Sequence, residues 1–208
     1  MISCSSIEVL SKHILALREE CSSNPMIVLV GGCSRTGKTV LVSKLMEYIK
    51  SSEISTTVIK LDSWLVSLEK RKEDSSVLER YETSSIILSI KKLLRGETVL
   101  PPIYDAISRR RIAESGLAQV SITNGILFVD GVVALAIEEL LKHAALRIFV
   151  DIPDTLRKQR LVHFYSEIKR LDEKECESII KTREKEKVLF IKKTVVNADI
   201  TFNNLELK

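Results

Sequence analysis

The sequence predicts an α/β fold in which a parallel β-sheet is flanked by helices in three layers. Short apolar runs rich in β-branched residues, such as MIVLV, alternate with stretches of helical periodicity. Runs without polar alternation are typical of strands buried on both faces of a parallel sheet. Three of the later runs end at an aspartate, and such sheets place their chemistry at the carboxyl ends of the strands.

Composition limits the classes of function. The chain has 208 residues, of which 45% are hydrophobic and 29% charged, which is enough for one domain, 1–208, with a sizeable core. The net charge of +4 is spread along the chain, so no nucleic-acid partner is indicated, and a homo-oligomer is left open. Four scattered cysteines indicate neither a zinc site nor disulfides and favour a cytoplasmic location. No apolar stretch is long enough for a signal peptide or a membrane span, so no membrane partner is expected.

The elements follow in chain order. Apolar residues at helical spacing from Ile7 to Leu17 predict an N-terminal leader helix within residues 1–24. Charged stretches at 69–82 and 157–193 predict exposed helices, candidates for a substrate flap and for a lid with its flanking helices at roughly 154–193. Five strands are predicted, at 26–30, 55–62, 125–130, 146–151 and 197–202.

The segment GGCSRTGKT, residues 31–39, follows the first strand, precedes a helix and contains the pattern G-x-x-x-x-G-K-T. Its glycines let backbone N–H groups point inward around a polyphosphate, at the positive end of the following helix. Lys38 is predicted to reach the β- and γ-phosphates, and the Thr39 hydroxyl to coordinate Mg²⁺. The pattern therefore predicts a P-loop NTPase fold that binds ATP through Gly32, Cys33, Ser34, Arg35, Thr36, Gly37, Lys38, Thr39 and Val40.

Asp62 is predicted at the tip of the strand that follows the phosphate-loop helix. A carboxylate there can take the proton from a hydroxyl group that attacks the γ-phosphate, and the alternative is a helix cap. Trp64 is predicted to stack on an acceptor ring, and the alternative is simple packing.

Two stretches, VIKLDSW and KKLLRGETVLPPIYDAISRRR, resemble the uridine kinase and phosphoribulokinase family of P-loop kinases. The first retains one Asp of the family's Asp-Asp-Phe-Tyr type of motif, and the second is similar to its leucine-rich helix, Gly, Pro-x-Tyr-Asp and basic segment. The resemblance implies that Tyr104 and Asp105 border the acceptor pocket and that Arg111 matches the family's arginine. Arg109 stands where uridine kinases carry a histidine, and an arginine there suits an anionic or carbonyl-rich acceptor.

Two further stretches extend the resemblance to residues 26–203. ILFVDGVV is similar to the family's strand followed by Glu-Gly, and Asp130 in place of Glu can hold Mg²⁺ directly or through water; the alternative is a turn aspartate. RIFVDIPDTLRKQR is similar to the start of the family's lid. Arg157 and Arg160, at i,i+3 spacing, are implied to bind phosphate during closure, and the alternative is a solvated helix face.

The function predicted from these features is transfer of the γ-phosphoryl group of ATP, with Mg²⁺, to a hydroxyl of a small molecule, with a nucleoside or sugar-like metabolite as the leading acceptor. One alternative is a kinase for an anionic metabolite, similar to phosphoribulokinase or pantothenate kinase. Another is a regulatory nucleotide-binding ATPase, in which a conformational change is the output. No guanine-reading Asn-Lys-x-Asp is present, which argues against a GTP switch.

Overall fold

The computed structural model describes residues 2–21, 23–116, 118–168, 170–183 and 187–204. These residues form a parallel sheet, a separate hairpin and helices on both faces of the sheet. The strands are β1 Ile2–Cys4, β2 Met26–Gly31, β3 Thr56–Lys60, β4 Ile103–Asp105, β5 Arg110–Ala113, β6 Ile126–Asp130, β7 Ala144–Asp151 and β8 Ile200–Asn203. The helices are α1 Ile7–Glu20, α2 Lys38–Ile49, α3 Thr83–Leu94, α4 Glu138–His143, α5 Asp154–His163, α6 Glu173–Arg183 and α7 Leu189–Lys193.

Six of the strands form one sheet in the order β1-β8-β7-β2-β6-β3, and all neighbouring pairs are parallel. The chain runs from β2 to the outer strand β3, returns to β6, and then crosses to β7 on the other side of β2. The carboxyl end of β2 therefore lies at the point where the direction of winding reverses, which is where open α/β sheets bind ligands.

The core has two layers, one on each face of the sheet. On one face, residues of α1 and α2 such as Ile14 and Leu45 pack against Val28 of β2 and Phe128 of β6. The other face is covered mainly by α3, α4 and α7, together with the segment that follows β6. Because both faces are covered, β2 and β6 are buried at every position, as their unbroken apolar runs predict.

The predicted fold class and five strands are confirmed, with two differences at the ends of the sheet. The second strand ends at Lys60, and Asp62 lies in the 3₁₀ turn Leu61–Trp64 that follows it. The leader contains a strand as well as a helix, because β1 pairs with β8 at the sheet edge before α1 begins at its cap, Ser6. A three-residue strand has no periodicity from which it could be predicted.

Between β3 and β6 the structure departs further from the prediction. Residues 69–82 form turns instead of the predicted exposed helix, and Val77 and Tyr81 within them are buried. Ser76 and Glu79 exchange hydrogen bonds between side chain and backbone in the pattern of a capping box, but only a turn at 77–80 follows it. Strands β4 and β5 form an antiparallel hairpin outside the main sheet.

The described part of the charged C-terminal stretch is largely helical, as predicted. Within its described part it consists of α5, a π-helical turn at Phe164–Ile168, α6 and α7. We call residues 154–193 the lid segment. Leu161, Tyr165 and Cys176 form a small apolar core of its own. Among the described helices of the chain, none combines the length and the apolar character that crossing a bilayer requires.

Candidate phosphoryl-transfer site

The predicted site residues converge because three parallel strands end side by side. Val30 of β2 pairs with Asp130 of β6, and Asp130 pairs in turn with Lys60 of β3. The segment 31–39 continues from β2, and the turn that contains Asp62 continues from β3. The phosphate loop, Asp130 and the Asp62 turn thus adjoin at one edge of the sheet.

Steric contacts and hydrogen bonds fix the backbone conformation of the phosphate loop. Gly32 and Gly37 have φ angles of 131° and 92°, which side-chain-bearing residues rarely adopt. A Cβ on Gly32 would collide with the carbonyl of Val150. The Thr36 hydroxyl donates to the carbonyl of Cys33 at 2.9 Å, and the Asn204 amide donates to the carbonyl of Thr36 at 2.7 Å.

Lys38 is a buried cation without a carboxylate in contact. It is 8% exposed, and its ammonium donates to the carbonyl of Cys33 at 2.9 Å. Within the described residues no Asp or Glu lies at ion-pair distance from it, and burial lowers the pKa of Lys38, while Asp130 and Asp62 act in the opposite direction from further away. A buried charge normally needs a partner, so this arrangement fits an anion such as phosphate.

Thr39 and Asp130 form the second half of this donor site. The Thr39 hydroxyl donates to Asp130 Oδ2 at 2.6 Å. Burial raises the pKa of the Asp130 carboxyl, and Lys38 and the hydrogen bond from Thr39 oppose that shift. A hydroxyl and a carboxylate oxygen side by side are hard oxygen ligands, so their chemistry fits Mg²⁺.

The remaining loop positions contribute in other ways. Cys33 is buried, and Ser34 lines a cavity beneath the lid segment. Val40 lies at the third position of α2, partly buried against the core, and only its place in the motif predicts a nucleotide contact. Arg35 adopts a φ of 68°, and its guanidinium carbon lies 3.5 Å from the centre of the Phe164 ring.

Asp62 is exposed and is held by a buried tyrosine. The Tyr81 hydroxyl donates to Asp62 Oδ1 at 3.2 Å, and Tyr81 is 4% exposed. Burial raises the pKa of the Tyr81 phenol well above its ordinary value, and Asp62 adds to that rise, so the phenol remains a donor at neutral pH. The carboxylate keeps its second oxygen for another partner.

Tyr104 and Arg71 belong to a group of polar side chains around Tyr81. Arg71 donates from Nη2 to the Tyr104 hydroxyl at 3.0 Å and from Nε to the carbonyl of Val66 at 2.8 Å. Arg71 and Tyr104 both influence the pKa of Tyr81, in opposite directions. An open cleft of about 720 Å³ runs beside this group, and Lys60, Ser63 and Tyr104 are among its lining residues.

The structure places the other predicted acceptor residues in supporting positions. Asp105 accepts the backbone N–H groups of Ile107 and Ser108, at 3.0 and 2.8 Å, and so shapes the hairpin turn. Arg109 ends that turn with a φ of 59°, and its carbonyl accepts the N–H of Leu68 at 2.9 Å.

Arg111 joins the hairpin to the Asp62 turn. Its side chain is 6% exposed and contacts Glu82 Oε1 at 2.6 Å and the carbonyl of Leu65 at 3.1 Å. Glu82 in turn donates its N–H to the carbonyl of Trp64. This guanidinium therefore fixes the segments on both sides of the acceptor region and is already partnered by carboxylates.

Trp64 lies in the core and does not face an acceptor. It is 3% exposed within the apolar layer that includes α3. The expected stacking on an acceptor ring is therefore corrected to the packing alternative, because a 3₁₀ turn directs this side chain inward while leaving Asp62 outside.

The two lid arginines differ in their surroundings. Arg157 is 2% exposed, contacts Asp154 at 3.3 Å, and lines a partly open pocket of about 370 Å³ together with Cys33 and Tyr165. Asp154 also pairs with Lys192 of α7 at 2.6 Å, so its one negative charge is shared between Arg157 and Lys192. Arg160 is half-buried, and its guanidinium approaches the carbonyl of Arg35 at 3.5 Å.

Three residues at the site had no role in the sequence-based prediction. Tyr81 and Arg71 belong to a charged stretch without a recognisable spacing, and Asn204 reaches the phosphate loop across 168 residues of sequence. A tyrosine within a charged, otherwise polar segment is the only signal that could have indicated Tyr81, since aromatic side chains are seldom left fully exposed.

Comparison with known proteins identifies related sequences and folds. The model of the phosphoribulokinase / uridine kinase family matches residues 27–208. A uridine kinase of Leuconostoc citreum (strain KM20) is 25% identical over 143 residues, which are 64% of this chain and 65% of that enzyme. The chain thus matches slightly less than two thirds of that relative's length.

Two solved structures share the fold across most of their length. A candidate fructose transport system kinase of Silicibacter sp. TM1040 superimposes with a TM-score of 0.76 at 18% identity, over 95% of this chain and 98% of its own. A D-glycerate 3-kinase of Cryptococcus neoformans gives a TM-score of 0.60 at 12% identity, over 84% of each chain. At these identities the likeness concerns the fold alone.

Proposed function

Because the chain belongs to the phosphoribulokinase / uridine kinase family, we propose that it transfers the γ-phosphoryl group of ATP to a hydroxyl group of a small molecule. The leading acceptor is a nucleoside or a sugar-like metabolite, as the uridine kinase relative suggests. The observation that carries the proposal is the buried Lys38, which has no carboxylate in contact among the described residues, together with an exposed carboxylate, Asp62, in the turn after β3 that is near enough to act on the pKa of Lys38.

The donor roles follow from the loop. Backbone N–H groups of 32–37 and the Lys38 ammonium bind the phosphates, and Thr39 and Asp130 hold the metal. Mg²⁺–ATP would supply the phosphoryl group, and the metal, held by Thr39 and Asp130, would supply a divalent charge that stabilises the phosphates. Lys38 and the α2 N-terminus remain fixed while charge develops, so little reorganisation is needed.

Asp62 has the role of general base. Its free oxygen accepts the proton of the acceptor hydroxyl, and the oxygen of that hydroxyl is thereby directed at the γ-phosphorus. Tyr81 orients the carboxylate by its hydrogen bond to the other oxygen. Positioning and electrostatics supply most of the acceleration in such transfers, so these groups are sufficient.

A second candidate acceptor is an anionic metabolite, and Arg71 is the observation that favours it. Its Nε and Nη2 are fixed by Val66 and Tyr104, while Nη1 has no partner among the residues that the structure describes. A guanidinium held next to the base suits a carboxylate or phosphate on the acceptor. Arg109 and Arg111, by contrast, support the hairpin with their backbone or existing carboxylate partners.

An acceptor screen tests the proposal. Nucleosides, sugars, sugar phosphates and hydroxy acids are each added to the protein with Mg²⁺–ATP, and acceptor-stimulated ADP release is measured. Stimulation by a nucleoside or sugar supports the leading form, and stimulation only by anionic compounds supports the second. ADP release that no acceptor changes would contradict both and indicate a regulatory ATPase.

The variant Asp62→Asn tests the proposed role of Asp62 as the general base. We expect the turnover number to fall by about 10²- to 10³-fold, because the variant keeps its size but cannot take a proton. Affinity for a non-hydrolysable ATP analogue stays unchanged, and Asp74→Asn, at an exposed aspartate of the neighbouring segment, serves as the control. Loss of analogue affinity would instead assign Asp62 to the metal.

A further inference from the structure

Arg35 has an unusual position within the phosphate loop. It lies between the two glycines of the motif with a φ of 68°, in the left-handed region that an arginine seldom occupies. Backbone outliers of this kind occur most often at sites of function. The arginine projects from the loop toward the lid segment.

The side chain makes a defined contact there. Its guanidinium carbon lies 3.5 Å from the centre of the Phe164 ring, where the face of an aromatic ring attracts a cation. Contact with the lid segment desolvates the guanidinium and lowers the pKa of Arg35, while Tyr165 and Asp62 are near enough to oppose that shift. Arg35 therefore stands between the proposed base, the loop and the lid segment.

Arg35 differs from the neighbouring cations, Lys38 and Arg157, in its exposure. Lys38 is buried at the base of the loop, and Arg157 is buried against Asp154. Arg35 is exposed and electrostatically coupled to both Lys38 and Asp62. The loop thus presents two cations, one buried and one on the side of the lid segment, and the phosphates of a nucleoside triphosphate carry more negative charge than Lys38 alone neutralises.

We propose that Arg35 binds the terminal phosphate of a nucleoside triphosphate, and that Phe164 holds the guanidinium in the orientation for that contact. The loop itself then distinguishes a triphosphate from a diphosphate and couples that distinction to the position of the lid segment. The inference rests on the proposed function for the identity of the ligand, but it requires no acceptor and no turnover.

Nucleotide affinities test the role of Arg35. The dissociation constants of ADP and of a non-hydrolysable ATP analogue are measured with Mg²⁺ by calorimetry for the wild type and for Arg35→Gly. Glycine adopts the observed backbone angle freely, so this variant removes the side chain without straining the loop. We expect analogue affinity to fall about tenfold while ADP affinity changes less than about twofold, because a charge-assisted contact to one phosphate is lost.

Substitutions of Phe164 separate orientation from simple packing. Phe164→Tyr keeps the aromatic face and should preserve the ratio of the two affinities. Phe164→Leu keeps apolar bulk but loses the face, and it should weaken analogue binding about threefold with ADP unaffected. Lys158→Ala, an exposed lid cation, is the control for general charge effects.

The outcomes distinguish this inference from the proposed function. Equal losses of ADP and analogue affinity in Arg35→Gly would overturn it and assign Arg35 to the loop structure. Unchanged analogue affinity would overturn it as well. If Arg35→Gly changes the ratio of analogue affinity to ADP affinity as expected but the wild type phosphorylates no acceptor, the proposed function is contradicted and the inference is supported. A wild type that binds neither nucleotide would contradict both.

Discussion

The proposed donor side and the proposed acceptor side of this site are constructed differently. The donor side is largely one continuous segment, 31–39, whose hydrogen bonds join neighbouring residues, as in the contacts of Thr36 and Lys38 with the Cys33 carbonyl. The acceptor side brings together Asp62, Tyr81 and Arg111 from three segments that only the folded chain unites. A phosphate site can therefore be specified locally, whereas an acceptor site depends on tertiary structure.

The difference also concerns the kind of atom that faces the ligand. Backbone N–H groups and the Lys38 side chain would form most of the donor side, so substitution at its free positions other than Arg35 should have little effect on phosphate binding. Side chains dominate the acceptor side, and each substitution there changes shape or charge.

The largest expected effect is on the donor side. Lys38→Met should reduce turnover by about 10³-fold or more and should greatly weaken binding of an ATP analogue, because it removes the charge that neutralises the phosphates. Turnover with the acceptor found by screening and calorimetric binding of the analogue measure the two effects. Binding of the acceptor alone should remain within about twofold, since no acceptor-side residue contacts Lys38.

Lys44→Met is the matched control for that change. Lys44 is an exposed lysine on the same helix, and its substitution should leave analogue affinity and turnover at wild-type values. If Lys38→Met kept its affinity for the analogue, the division into two sides would be refuted, because the phosphates would then lie elsewhere.

An intermediate effect is expected from the residue that assembles the acceptor side. Arg111→Ala should lower the free energy of unfolding by about 2 kcal/mol, because the change leaves Glu82 and the Leu65 carbonyl without their partner. Chemical denaturation measures this loss. Acceptor KM should rise in the same variant while analogue affinity stays constant.

Arg110→Ala provides the comparison at the next position. Arg110 is 65% exposed, and its guanidinium lies 3.6 Å from Glu69, so the substitution should cost less than about 0.5 kcal/mol. Equal destabilisation by the two variants would show that Arg111 does not hold the acceptor side together.

The same contrast explains what could be predicted from the sequence. The phosphate loop and the buried strands β2 and β6 are encoded by patterns of neighbouring residues, so both could be predicted from the sequence. The turns at 69–82 were predicted as a helix, since charge density alone does not reveal that Tyr81 is buried. Trp64 was assigned to the acceptor by its distance in sequence from Asp62, but the 3₁₀ turn directs the two side chains differently.

The smallest expected effect concerns the contact between Tyr81 and Asp62. Tyr81→Phe removes only the hydroxyl group and keeps the buried ring, so the fold should be preserved and the carboxylate should lose one orienting hydrogen bond. We expect the turnover number to fall about three- to tenfold, the size expected for one hydrogen bond to a partly exposed charged group.

The kinetic pattern distinguishes this role from general packing. Loss of orientation lowers the turnover number and leaves the affinity for the ATP analogue unchanged, whereas loosened packing would also lower the midpoint of thermal unfolding. Tyr48→Phe, on a partly exposed tyrosine of α2, is the control for removal of a phenol. A Tyr81→Phe variant with wild-type turnover would show that Asp62 needs no orienting partner. The acceptor side would then resemble the donor side, in which most contacts lie within one continuous segment.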